Sequence, residues 1–146
     1  MKLRDVMAIA ALALASGTSL AAALGPVQVY KDPTCGCCGK YIDYLRQEGV
    51  KVEVVSVADM AQIKAKYGVP SKLQSCHTSL ANGYVIEGHV PVAAMKKLVN
   101  EGRSIKGIAL PGMPAGSPGM GPARPGTLTI YEIPDAGQTP KVFSVE

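Results

Sequence analysis

The chain has 146 residues, with 15 basic and 11 acidic side chains, a formal charge of +4, one Phe and no Trp. That length suits one domain rather than two, and its core must be built from Val, Ile, Leu, Ala, Met and Tyr. The basic residues are spread thinly, without a stripe or interleaved aromatics, which argues against nucleic acid as a partner.

The first segment reads as a leader. Lys2 and Arg4 form a positive start, Val6 to Ala15 is an unbroken apolar run, and Ala21-Ala22-Ala23 fits the small-residue cleavage rule. The run is shorter than the roughly 20 apolar residues of a comfortable bilayer span. The pattern therefore predicts a signal peptide over 1–23 and a mature domain over 24–146, with no stable membrane anchor after cleavage. An uncleaved anchor is the competing reading. Loss of Lys2, Arg4 and Asp5 reduces the 15 basic residues to 13 and the 11 acidic residues to 10, a formal +3.

Val27 to Lys31 reads as a short buried strand and Asp32-Pro33-Thr34 as a turn, after which Cys35-Gly36-Cys37-Cys38 opens a helix. Cys38, Ile42 and Leu45 recur at helical spacing on one face, and Gly49 stands where a glycine ends such a helix. Lys51 to Val57 alternates and is β-branched, a second strand. Ala58 to Tyr67 follows as a helix with Met60, Ile63 and Tyr67 inward, closed by Gly68-Val69-Pro70. The right-handed crossover rule makes the two strands parallel.

Thr78 to Ala81 and Tyr84 to Glu87 read as a hairpin across Asn82-Gly83. Pro91 starts a third helix running to about Asn100, with Val92, Met95, Leu98 and Val99 inward. Beyond Gly107, Pro111 to Gly126 concentrates Pro and Gly and is predicted to be a loop. Thr127 to Ile133 and Lys141 to Val145 read as an added C-terminal hairpin. The order β-α-β-α-β-β-α predicts an α/β, thioredoxin-like fold, which places its reactive thiols after the first strand at a helix N-terminus.

In an exported chain, four cysteines usually mean two stapling disulfides. Here three of the four crowd into four consecutive positions, which cannot staple distant loops. A helix N-terminus offers unpaired N–H groups and the positive end of the helix dipole, which stabilise a thiolate. Cys35 and Cys38 alone form a C-x-x-C pair suited to a redox disulfide or to a metal. Cys37 is the additional thiol, and convergent thiolates select copper(I). The predicted topology returns Cys76 and His77, before the third strand, and His89, after the fourth, to the rim that carries the cluster.

Each of these has a plainer reading. Cys76 can form a disulfide with a cluster cysteine, His77 can be a strand-end histidine satisfied by backbone, and His89 can cap the Pro91 helix. Met113 and Met120 sit in the Pro/Gly-rich loop, where a thioether has no core to fill and is a soft copper(I) ligand; packing back on the domain is their alternative.

Thr34-Cys35-Gly36-Cys37-Cys38, Ser75-Cys76-His77-Thr78, Gly88-His89-Val90-Pro91, Pro111-Gly112-Met113-Pro114 and Ser117-Pro118-Gly119-Met120 resemble the CopG-type copper-resistance proteins, exported proteins of Gram-negative bacteria. The likeness runs from about Val27 to Gly121. It implies a thioredoxin-like fold, copper binding through the clustered cysteines, and a place in the periplasm beside other copper-handling proteins. A redox role toward copper is proposed for such proteins. The segment after Gly121 carries no matching motif.

The resulting expectation is a periplasmic copper-tolerance protein holding Cu(I) on Cys35, Cys37, Cys38 and Cys76, supplemented by His77, His89, Met113 or Met120. The competing expectation is a thiol-disulfide oxidoreductase acting through Cys35 and Cys38, with Cys37 dispensable. A structural zinc site is less attractive, because only two histidines and no finger spacing accompany the thiols.

Overall fold

The structure, a computed structural model, describes residues 23–146. The predicted leader, apart from Ala23, lies outside the described residues. No helix among the described residues is long and apolar enough to cross a membrane.

Seven strands form one sheet: β1 (Val27–Lys31), β2 (Val52–Ser56), β3 (Thr78–Ala81), β4 (Tyr84–Glu87), β5 (Gly107–Ala109), β6 (Thr129–Ile133) and β7 (Val142–Val145), in spatial order β2-β1-β3-β4-β5-β6-β7. Among the described residues three α-helices accompany them: α1 (Gly36–Gln47), α2 (Met60–Lys66) and α3 (Val92–Glu101). The fold class is α/β, as the pattern predicts. β1 and β2 are parallel, while β3 runs antiparallel to both β1 and β4.

Register decides where the chemistry goes. Tyr30 pairs with Thr78 and Thr78 pairs with Glu87. The end of β1, the start of β3 and the end of β4 therefore share one edge of the sheet. β5 runs parallel to β4 with Ala109 opposite Glu87, so the Pro/Gly-rich loop leaves the sheet at the same edge.

Each helix has a local cause. Asp32 accepts hydrogen bonds from the Thr34 amide and hydroxyl, and this turn presents Cys35 as the extended N-cap of α1. Cys38, Tyr41, Ile42 and Leu45 form its buried stripe, the spacing of one helical face. Asp59 caps α2 by accepting from the Ala61 and Gln62 amides, so that helix begins at Met60 rather than Ala58. Pro91 is the N-cap of α3, and Gly102 ends it in the left-handed conformation.

The sheet is packed on both faces. Tyr41, Ile42 and Leu45 of α1 and Met95 and Leu98 of α3 join Val27, Val29, Ile86, Ile108 and Ile130 in the larger core. A smaller cluster of Val69, Leu73, Val85, Ala109 and Ile133 lies on the other face, beneath the end of α2.

Two sequence expectations need correction. The inner face of α2 is not led by Met60, Ile63 and Tyr67, which are half-buried; its buried residue is Lys64, drawn in by a charge partner. Gly107–Ala109 is a strand that pattern reading passes over, because three residues have no periodicity. Through β5 the predicted C-terminal hairpin, β6 and β7, extends the main sheet.

Candidate metal centre

The first turn of α1 supplies three sulfurs. Cys38 is fully buried, one turn in, while Cys35 and Cys37 are half-buried. Cys35 and Cys38 are joined as a disulfide, and Cys37 and Cys76 are free thiols. The bond therefore lies within the C-x-x-C pair and does not involve Cys76. The Cys37 sulfur stands 3.3 Å from that of Cys35.

The strands supply the opposite wall. The Sγ atoms of Cys35, Cys37, Cys38 and Cys76 all lie within 4.8 Å of one another, and so do the ligand atoms of Cys76, His77 and His89. Cys76 Sγ is 3.3 Å from His77 Nδ1 and 3.2 Å from His89 Nε2. Cys76 belongs to both groups and links them.

The electrostatics follow from burial. Burial pushes the Cys76 thiol up to about 12, and the neighbouring Cys37 sulfur adds to the effect. Burial thus outweighs the helix-start effect for Cys76, which is not itself part of the α1 first turn that its sulfur faces. His77 is lowered to about 3, first by burial and then by the charges of His89, Lys64 and Lys31. His89 is also lowered by burial, against a raising hydrogen bond to the Pro118 carbonyl. Both imidazoles are thus neutral near pH 7, as a metal ligand requires.

His89 is held in one ring orientation. A nitrogen facing a carbonyl oxygen must carry the proton, so His89 Nδ1 donates to the Pro118 carbonyl at 2.7 Å. Its Nε2 then presents a lone pair toward Cys76, the usual way a ligating histidine is supported from behind. His77 Nε2 is buried and has no hydrogen-bond partner. Soft sulfurs beside neutral imidazoles suit copper, and the donor set fits that metal.

Tyr41 lies behind both rings, with centroids 4.7 Å from His77 and 5.0 Å from His89. Its hydroxyl donates to the Val90 carbonyl at 2.7 Å, and burial holds the phenol far above its usual range. The sequence reading did not single Tyr41 out. Its signal is the position three residues after Cys38, on the same buried stripe.

Met113 and Met120 stand in the loop crossing the rim. Ser75, next to Cys76, donates its hydroxyl to the Gly112 carbonyl, which fastens the loop beside Met113. Before Met120, a Cβ added at Gly119 would sit 3.0 Å from the Lys40 carbonyl carbon, so the loop backbone rests on α1. Met113 is 46% exposed and Met120 is half-buried. Gly88 is needed where it stands: with φ +78°, an added Cβ would lie 2.5 Å from the Leu110 carbonyl oxygen and 2.7 Å from Ser75 Cβ.

A second group missed by sequence lies under this wall. Glu87 is completely buried, and its carboxylate accepts from Lys64 Nζ at 2.5 Å, Thr78 Oγ1 at 2.6 Å and the Ser75 amide at 2.8 Å. Burial raises the Glu87 carboxyl, and these donors pull it back down.

A family model described as a protein of unknown function, DUF411, matches residues 73–120, the stretch that carries Cys76, His77, Glu87, His89 and both loop methionines. Two solved structures, "Copper resistance protein copG- Form 2" and "Copper resistance protein copG- Form 1", are similar to this chain at 38% and 37% identity. Each has a TM-score of 0.74, and they cover 84% and 85% of this chain and 98% of their own. No curated protein matches the chain.

Proposed function

The chain belongs to the family of the copper resistance protein CopG, and on that premise we propose that it is a periplasmic copper-binding protein of copper tolerance. Cu(I) is its cargo, held by Cys35, Cys37, Cys38 and Cys76, with His77 and His89 completing the donor set and Met113 or Met120 assisting from the loop. The reading rests on one observation above all: four sulfurs stand within mutual reach, and one of them, Cys76, is also within reach of two imidazoles, the donors coming from three separate parts of the chain. Export through the 1–23 leader and a thioredoxin-like core belong to the same proposal.

The disulfide divides the site into two chemical states. With Cys35 and Cys38 bonded, the free donors are two thiols and two neutral imidazoles. A dithiol reductant that breaks this bond supplies two electrons and two protons, itself becomes a disulfide, and raises the thiols to four. Thiols bind metal by losing their protons, so Cu(I) loading releases protons and is favoured by the reduced form. Copper uptake and thiol redox are thereby linked.

Anaerobic Cu(I) titration of the reduced protein against a chromophoric Cu(I) chelator tests the reading. Tight stoichiometric binding is expected. Cys76→Ser is expected to weaken it by more than the about 10–100-fold that loss of a supporting partner costs a metal site. Absence of tight binding by the reduced wild type would falsify the proposal.

The bonded C-x-x-C at the start of α1 favours a second reading, a thiol-disulfide oxidoreductase. That reading expects Cys37→Ser to reduce a model disulfide at the wild-type rate. The copper reading expects the same variant to lose copper affinity.

A further inference from the structure

Extended backbone leading into β3 sends His77, just before the strand, and Thr78, its first residue, to opposite faces of the sheet. His77 faces Tyr41 and α1, whereas Thr78 faces Lys64 of α2. Glu87 lies on the Thr78 side, behind the wall that carries the imidazoles. Its three donors are not scattered. Ser75 directly precedes Cys76 and Thr78 directly follows His77, so one carboxylate grips the chain on both sides of the Cys76-His77 pair. Lys64 supplies the counter-charge from α2, with side-chain exposure of 7% against 0% for Glu87.

We propose that Glu87 is the positioning residue of this centre, holding the Ser75–Thr78 segment so that the Cys76 sulfur faces Cys37 and the imidazoles. Lys64 allows a charged carboxylate to occupy the interior, where an uncompensated charge is not tolerated. An apolar side chain at 87 could fill the space, but it could not bind the Ser75 amide and the Thr78 hydroxyl. The segment between them lies outside any strand or helix, and its backbone is tied to the end of the β3–β4 pair by the Gly88 amide donating to the His77 carbonyl at 3.1 Å, a bond that leaves Cys76 itself to be held from Ser75. The following residues continue the clamp, since Gly88 packs against Ser75 and His89 anchors the Pro118 loop.

The inference deepens the copper reading, resting on it for its purpose, and its test needs no copper. In a Cys35→Ser/Cys38→Ser background only Cys37 and Cys76 remain, and diamide joins them as a disulfide, taking up two electrons and two protons. The rate of that closure reports how well the two sulfurs are aligned. Lys64→Met/Glu87→Leu removes every clamp bond without leaving a lone charge, and closure is expected to slow by about tenfold or more, the scale on which small misplacements act. Lys64→Met/Glu87→Gln keeps a carbonyl acceptor for the Ser75 amide and is expected to return to within about threefold of the parent.

Far-UV circular dichroism confirms that each variant is folded at the temperature used. A folded Leu variant that closes at the parental rate overturns the proposal, as does a Gln variant as slow as the Leu variant. If the Leu variant does not fold, Thr78→Val takes its place: it removes one donor and keeps the ion pair. Slower closure in that variant supports the clamp, and parental closure overturns it. A clamp-dependent rate in a protein that fails to bind Cu(I) would leave this inference standing and the copper reading fallen.

Discussion

Cys35, Cys37 and Cys38 reach the rim on a single helical turn, whereas Cys76 and His77 stand just before β3 and His89 just after β4, with β3 pairing to both β1 and β4. The first half needs only an Asx turn at Asp32 and a helix start, and it stands partly open to solvent. The second half is interior. Both imidazoles are fully buried, Tyr41 backs them, and Glu87 and Lys64 hold the bend beneath. The contrast separates two tasks. The exposed half suits exchange with partners and reductants, while the buried half sets which donors meet them.

The largest expected difference between the halves comes from breaking the ion pair alone. Lys64→Met leaves Glu87 buried without its counter-charge, which costs about 3–5 kcal/mol. Urea denaturation read by circular dichroism checks it, and a loss below about 1 kcal/mol would mean the pair behaves like a surface ion pair.

Acid sharpens the comparison next. The His77 imidazole is held down to about 3, below its ordinary value of 6.5, so below pH 6.5 the unfolded chain takes up a proton that the folded chain refuses. Its stabilising contribution is complete above pH 6.5 and is lost as pH falls from 6.5 toward about 3. The slope is up to about 1.4 kcal/mol per pH unit for this one group. Metal-free wild type and His77→Phe compared over that window should diverge, the variant being the less sensitive. Parallel pH profiles would remove His77 from the buried half.

The smallest effect is expected in the exposed half. Gly39 lies inside α1, and an added Cβ there meets nothing within 4 Å. Gly39→Ala should stabilise the protein by about 0.5–1 kcal/mol through helix propensity, raising the denaturation midpoint without changing Cu(I) stoichiometry. A destabilised variant would show that this turn depends on more than its local geometry.

The parts of the fold readable in sequence were those with local signals. A short buried run marked β1 and alternation marked β2, Asn82-Gly83 marked the hairpin, with φ of 50° and 82° as such a turn demands, and the proline at its start marked α3. The cysteine cluster was legible for the same reason, and the predicted strand directions were sufficient to bring Cys76, His77 and His89 beside it. Lys64, Glu87 and Tyr41 were not legible in this way. A lysine on a short helix and a glutamate at a strand end read as solvated groups, and a tyrosine on a buried stripe reads as core.

Sequence alone thus picked out the candidate soft donors and, through strand order, placed Cys76, His77 and His89 on the rim of the cysteine cluster, where the folded chain has them. The oxidation of Cys35 with Cys38, the burial of both imidazoles against Tyr41, and the charged clamp behind Cys76 were decided only in the folded chain. The physical reason is distance along the chain. Helix starts and turns are set by neighbours a few residues apart, but the state of a buried charge or imidazole depends on groups that meet only when α1, α2, β3 and β4 have packed together.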